Sequence, residues 1–194
     1  MGFVSILSQK SDKIVIFPRN KPFGTLFVID KSEYNYLKER RITMNFNNFT
    51  IKAQEAVQEA VNLTQAHNGQ VIEPIHLLQA VMKVGENVTK FIFQKLGVNG
   101  QQIANVVARQ IESLPKVSGG NPYLSRESND VLQKAVQYSK EMGDEFVSIE
   151  PIILALLVVK STASSILKDA GVSEKELREA INELRKGERV TSQS

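Results

Sequence analysis

From residue 50 onward, small and apolar side chains recur at intervals of three and four. Ala53, Ala56, Val57, Ala60, Val61 and Thr64 form one stripe, and Ser128, Val131, Leu132, Ala135, Val136 and Ser139 form its counterpart. That spacing holds each set on one face of an α-helix, so each stripe predicts a helix with a buried side. Thr50 and Ser125 precede the stripes and suit N-caps, because a side-chain oxygen there accepts from the unpaired N–H groups of the first turn. Asn68-Gly69 and Met142-Gly143 follow them and supply left-handed stops.

The stripes belong to a longer duplication. Ile72-Glu73-Pro74-Ile75 recurs unchanged as Ile149-Glu150-Pro151-Ile152, and Leu96-Gly97-Val98-Asn99 is echoed by Ala170-Gly171-Val172-Ser173. The tetrapeptide opens a second helix in each copy, with Pro74 and Pro151 expected at the first helical position, where a missing N–H costs nothing. Third helices are expected at 88–96 and 164–170, each stopped by a glycine, Gly97 or Gly171. Asn99 with Gln102, and Ser173 with Glu176, have the spacing of a capping box and open a fourth helix. The period exceeds that of the usual solenoid repeats. It predicts an all-α fold made by tandem duplication of a four-helix repeat, the two modules packed face to face.

Residues 1–43 break this pattern. Residues 13–17 and 25–29 are short apolar runs around Pro18, Pro22 and Gly24, which suggests a β-hairpin. No basic start leads into an apolar stretch and cleavage site, and Asp12, Asp30, Glu33 and Glu39 argue against a transit peptide. Met1-Gly2 is followed by Ile6 where myristoylation needs Ser or Thr. The composition favours translation from Met44, with the preceding stretch a gene-model extension, over a genuine structured arm.

Charge removes one class of function. The chain carries a formal +3, but residues 1–43 hold eight Lys/Arg against four Asp/Glu. The rest carries 16 basic and 17 acidic residues, a net of −1, without the basic stripe of a nucleic-acid binder. Lys38, Arg40 and Arg41 read as solvated charges. The absence of cysteine excludes disulfides and thiolate metal sites and is compatible with a reducing cytoplasm. The longest apolar run, 152–159, is too short to span a bilayer.

No catalytic constellation emerges. There is no Gly-Lys-Ser/Thr phosphate loop, no Gly-x-Ser-x-Gly elbow and no Gly-x-Gly-x-x-Gly run. His67 lies near the end of the first helix, and His76 corresponds to Ile153 in the second module, so packing explains it better than metal ligation. Glu73 and Glu150 read as charges favoured by the positive end of a helix dipole. Asp144, after Gly143, reads as a solvated turn residue, and Leu132 as core. Alanine at Asp144 or Glu150 is accordingly expected to leave the melting temperature nearly unchanged, with slightly more lost at Glu150, whose charge favours the helix start.

Taken together, Met44-Asn45-Phe46-Asn47-Asn48-Phe49-Thr50, Ile72-Glu73-Pro74-Ile75-His76-Leu77-Leu78, Leu114-Pro115 and the repeated tetrapeptide resemble the Clp N-terminal domain family. Within it they are most similar to the N-domains of ClpB-type AAA+ protein disaggregases. The resemblance covers 44–186: repeat one 44–115, linker 116–122 and repeat two 123–186. Residues 187–194 would begin a linker to a further module. The family implies a pseudo-two-fold pair of four-helix repeats, carried on a hexameric ring. It implies a binding role without chemistry, toward unfolded or aggregated polypeptide or an adaptor or co-chaperone. It implies no cofactor here, with ATP and magnesium belonging to a parent protein. A monomeric domain, a cytoplasmic location, and neither nucleic acid nor membrane as partner complete the expectation. Carried over by position, Thr50, Asp144 and Glu150 would rim the client site, with Leu132, Phe146 and Pro151 lining an apolar groove. The alternative is the adaptor-binding N-domain of a protease-associated Clp unfoldase.

Overall fold

The structure, a computed structural model, describes residues 3–5, 13–17, 27–30, 46–117 and 121–194. Lys38, Arg40, Arg41, Met44, Asn45 and linker residues 118–120 lie outside the described residues. The chain separates into two units, Met1–Asn45 and Phe46–Ser194. In the first, β1 (Phe3–Ser5), β2 (Lys13–Phe17) and β3 (Phe27–Asp30) form an antiparallel sheet in that order. Phe3 stands opposite Phe17, and Lys13 opposite Asp30. The expected second strand, 25–29, is described as Phe27–Asp30. β1 is too short to show any periodicity and is absent from the sequence reading.

The second unit opens with a 3-10 turn, Phe46–Asn48, and continues with eight α-helices. The first repeat supplies α1 (Ile51–Ala66), α2 (Pro74–Val84), α3 (Glu86–Lys95) and α4 (Gly100–Glu112). The second supplies α5 (Arg126–Glu141), α6 (Ile149–Val158), α7 (Thr162–Asp169) and α8 (Glu174–Arg185). The packing obeys the duplication. α1 lies on α2 as α5 lies on α6, and α3 meets α8 as α7 meets α4. α2 and α6 also touch each other, at the centre of the pair. This is an all-α duplication of a four-helix repeat.

Two short parallel β contacts stitch the repeats together. β4 (Val71–Ile72) pairs with β5 (Tyr123–Leu124), and Phe49 bridges Val147. Each joins the residues ahead of one repeat's first helix to the turn ahead of the other repeat's second helix.

The core explains why the helices stop and start where they do. Every residue of α6 from Ile149 to Leu157 is buried, and each large aliphatic side chain buried this way contributes about 1.5–3 kcal/mol. Thr50 accepts from the Ala53 N–H and Ser125 from the Ser128 N–H, as the stripes predict for N-caps. Asn99 and Ser173 cap α4 and α8 in the same way. Two details differ from expectation. Pro151 is the third residue of α6, still in the first turn where its missing N–H has no intrahelical partner. α3 and α7 begin two residues earlier than the glycine-bounded pattern indicates, α7 because Ser161 and Ser164 cap each other reciprocally. The left-handed stops fall within the expected pairs, at Asn68 with φ 55° after α1 and at Gly143 with φ 76° after α5.

Among the described residues, no single helix is long and apolar enough to cross a membrane. α6 and α7 pass only as a pair bent by 92°, and α6 is a core helix.

Candidate functional site

The segment joining α5 to α6 runs from Gly143 to Ser148 and lies against the start of α1. Thr50 donates its N–H to the Val147 carbonyl at 2.9 Å, and Val147 donates to the Asn48 carbonyl at 2.8 Å. This places Thr50 against Val147, which lies between Asp144 and Glu150 in the chain, although about a hundred residues separate Thr50 from that segment in sequence. The left-handed turn at Gly143 reverses the chain after α5, so that Asp144 points back toward the end of α8.

One guanidinium organises the site. Arg185, the last residue of α8, donates from Nη1 to Asp144 Oδ2 at 2.7 Å, from Nε to Glu150 Oε1 at 3.1 Å, and from Nη2 to Ser148 Oγ at 2.9 Å. The side chains of Arg185, Asp144 and Glu150 are only 9%, 0% and 11% exposed. Two carboxylates share one cation out of water, an arrangement that holds only while all partners are present.

The chain's own tail closes over the same place. Lys186 and Gly187 both take left-handed conformations, with φ 50° and 84°, and turn the chain back along the 143–148 segment. The Val190 N–H donates to Asp144 Oδ1 at 3.0 Å, and the Val190 carbonyl accepts from the N–H groups of Glu145 at 2.9 Å and Phe146 at 3.4 Å. Further along, the Gln193 carbonyl accepts from the Ile51 N–H at 2.7 Å, and Gln193 Nε2 donates to the Asn47 carbonyl at 2.5 Å. The Ile51 N–H, at the first position of α1, would otherwise have no acceptor within its helix.

Of the six residues expected to contact a client, four gather here: Thr50, Asp144, Phe146 and Glu150. Thr50 is 7% exposed and uses its hydroxyl as the α1 cap. Phe146 is half-buried. Leu132 is fully buried on α5, and Pro151 is buried inside α6, so neither forms an exposed wall. The reading of Asp144 as a solvated turn residue is overturned, because its carboxylate is enclosed by Arg185 and the tail. Ser148, Arg185 and the tail's part in the site are missing from the sequence reading. The partners lie 35 to 46 positions apart and leave no local spacing signal.

Glu73 and Glu150 are not equivalent. Glu73 is the N-cap of α2 in a reciprocal box, its N–H donating to His76 Nδ1 at 3.0 Å, whereas Glu150 lies inside α6 and holds Arg185. Burial raises the Glu73 carboxyl above its ordinary value, against the lowering effect of the Ser125 hydroxyl. His76 is buried, which pushes its imidazole down to about 4. His67 pairs through Nε2 with Glu112 at 2.9 Å. Among the described residues, no group of three or more His, Cys, Asp or Glu side chains is arranged to hold a metal ion.

Two open concavities lie elsewhere. One of about 630 Å³ is lined by α2, α3 and α4, including Met82, Lys83 and Phe93; another of about 370 Å³ lies between α4 and α7. Neither includes any of the six residues.

The family model for the Clp repeat (R) N-terminal domain matches residues 48–170. The chain belongs to this family. A ClpB chaperone of Bacteroides thetaiotaomicron is 80% identical over 151 residues, which are 78% of this chain and 18% of that protein. The chain therefore spans less than a fifth of that relative's length and corresponds to its N-terminal region. The solved Hsp104 N-terminal domain from Candida albicans superposes with a TM-score of 0.68 at 23% identity, covering 76% of this chain and 97% of that one. A ClpV N-domain solved in complex with a VipB peptide superposes at 0.61 with 15% identity, covering 77% and 92%. These two structures share the Clp N-domain fold with residues of the helical unit.

Proposed function

We propose that this chain is the module with which a ClpB-type disaggregase engages unfolded or aggregated polypeptide, and that the 143–148 segment and the start of α1 receive the client. The single observation that carries this is the 80% identity to the N-terminal region of a ClpB chaperone. It favours the disaggregase over an adaptor-binding unfoldase of the same fold. The peptide complex of the ClpV N-domain supports polypeptide as the ligand class. In this reading residues 44–186 are the binding domain, residues 1–43 an added segment, and residues 187–194 lead toward the rest of the machine. The hexameric ring, ATP and magnesium belong outside these residues, in a cytoplasmic parent. Each contact with a client is weak, because a disordered segment loses conformational freedom on binding. Several copies on a ring offset that weakness through effective concentration.

The test is titration of the intact chain with reduced, carboxymethylated α-lactalbumin and with native α-lactalbumin, followed by fluorescence anisotropy. Binding of the unfolded form alone is expected. Absence of binding, or equal binding of both forms, would remove the client reading.

A further inference from the structure

We infer that residues 188–194 act as an intramolecular stand-in for client: they occupy a cradle for extended polypeptide, and a client segment takes the same place when the tail leaves. The inference rests on the reading of this rim as the client site.

The cradle reads backbone. The N–H groups of Ile51, Glu145 and Phe146 donate outward to carbonyls of the tail, and Asp144 Oδ1 and the Asn47 carbonyl accept from it. Two of the three acceptor–donor contacts at Val190 use only main-chain atoms. Any extended chain carries the same groups, so the cradle suits a partner of arbitrary sequence, as strand addition does elsewhere. The acceptor Asp144 Oδ1 remains aimed at the cradle because Arg185 holds the other carboxylate oxygen at 2.7 Å. Arg185 is therefore a positioning residue for the cradle.

The tail is held loosely enough to leave. None of residues 186–194 is buried; only Val190 and Gln193 among them reach half-burial, and Arg189 lies over Gly143 at the surface. A segment held by a few hydrogen bonds, the one to Asp144 part-buried and the one from Gln193 Nε2 exposed, and by no buried apolar side chain opens toward the low end of the local stability scale. The left-handed pair Lys186-Gly187 supplies the pivot, with the Lys186 N–H fixed to the Asn182 carbonyl and the turn lying outside the helix. Ile51, 51% exposed at the edge of the cradle, and Phe146 behind it offer apolar contact to a client side chain.

A bound tail lowers the apparent affinity for client in proportion to the fraction of molecules in which the cradle is open. The experiment compares the intact chain with a chain ending at Gly187 and with Val190→Pro, which deletes the N–H donated to Asp144. Reduced, carboxymethylated α-lactalbumin is the probe, and circular dichroism and melting show that each variant is folded. Both variants are expected to bind about fivefold more tightly than the intact chain. A synthetic peptide of residues 188–194 added in trans should reverse the gain of the truncated chain. Amide resonances of Ile51, Glu145 and Phe146 should shift with either ligand. If the intact chain binds the probe but both folded variants bind it no more tightly, the tail is not a competitor and the inference fails while the client reading stands. If neither intact nor truncated chain binds the probe, the client reading fails and the inference with it.

Discussion

Arg185 donates to three side chains from one guanidinium, and the consequence for Asp144 reverses the surface-residue expectation. Asp144→Ala leaves Arg185 paired with Glu150 but removes its shortest hydrogen bond and the acceptor of the Val190 N–H. It should therefore destabilise the helical unit by about 1.5–3 kcal/mol, as loss of a hydrogen bond to a charged group does, measured by urea unfolding, whereas an exposed turn residue would cost under about 0.5 kcal/mol. A shift of that smaller size would show that Arg185 does not depend on Asp144. The point matters for function as well. A client-binding defect in Asp144→Ala is interpretable only beside its unfolding curve, and Glu73→Ala cannot serve as the matched control. His76 makes a separate prediction. Its folded pKa, about 4, lies below its ordinary 6.5 because of burial first and the nearby His67 second. The unfolded chain therefore binds the proton more readily. Stability is full above pH 6.5, falls as the pH drops toward 4, and is then flat for this group, a loss on the order of 3 kcal/mol. Glu73 opposes it in the acid range, since its raised carboxyl gains a proton more readily when folded. His76→Ile, copying the residue of the second repeat, should flatten the unfolding free energy between pH 6.5 and 4 while forfeiting the acceptor for the Glu73 N–H. An unchanged slope would show that another group carries the acid sensitivity.

At the scale of elements, the joint between α2 and α3 depends on Gly85. A Cβ there would lie 2.8 Å from Ile149 Cγ2 and 2.9 Å from the Val81 carbonyl oxygen. The first neighbour belongs to the other repeat and the second is backbone, so neither yields easily. Gly85→Ala should cost about 1–3 kcal/mol in thermal unfolding, as overpacked cores do. Gly97 is the contrast: its φ of 65° disfavours alanine, but nothing lies within 4 Å of the added carbon. Its cost is confined to the backbone, about 1 kcal/mol. Equal losses at both positions would remove the packing argument. The helices themselves were legible because their faces bury continuous stripes and their caps are local: Thr50, Ser125, Asn99 and Ser173 all act within three residues. What was illegible is non-local. Nothing near Arg185 announces Asp144, and the β contacts of Phe49 with Val147 and Ile72 with Leu124 involve too few residues to leave an alternating pattern. The identical tetrapeptides also mask a real difference, because α6 begins two residues earlier on its copy than α2 does.

For the whole molecule, the duplication closes on itself. The Val117 N–H donates to the Asn68 carbonyl as the chain leaves α4, and the Val190 N–H donates to Asp144 as it leaves α8. Ser125 then pairs with Ile72 through its N–H, just as Thr50 pairs with Val147. One passage, from repeat one to repeat two, is covalent through residues 118–120. The other is the meeting of Gln193 with Asn47 and Ile51. A fold whose ends meet tolerates circular permutation, since joining them spans little distance and costs little closure entropy. A permutant of residues 46–194 that links Ser194 to Phe46 through a few glycines and opens the chain between Gly119 and Gly120 should keep the helical circular dichroism and a single cooperative transition. Its melting temperature should fall by only a few degrees, because the helix contacts that unite the repeats, among them α2 with α6, α3 with α8 and α4 with α7, do not depend on the opened bond, and only the short β4–β5 pairing lies near it. Two separate transitions would show that the covalent linker, and not the packing of these helix pairs, holds the repeats together. The permutant also fixes the tail in place by joining it at both ends, so its affinity for reduced, carboxymethylated α-lactalbumin should drop below that of the unpermuted chain. A folded permutant that binds as tightly as the chain ending at Gly187 would show that a tethered tail leaves the cradle open.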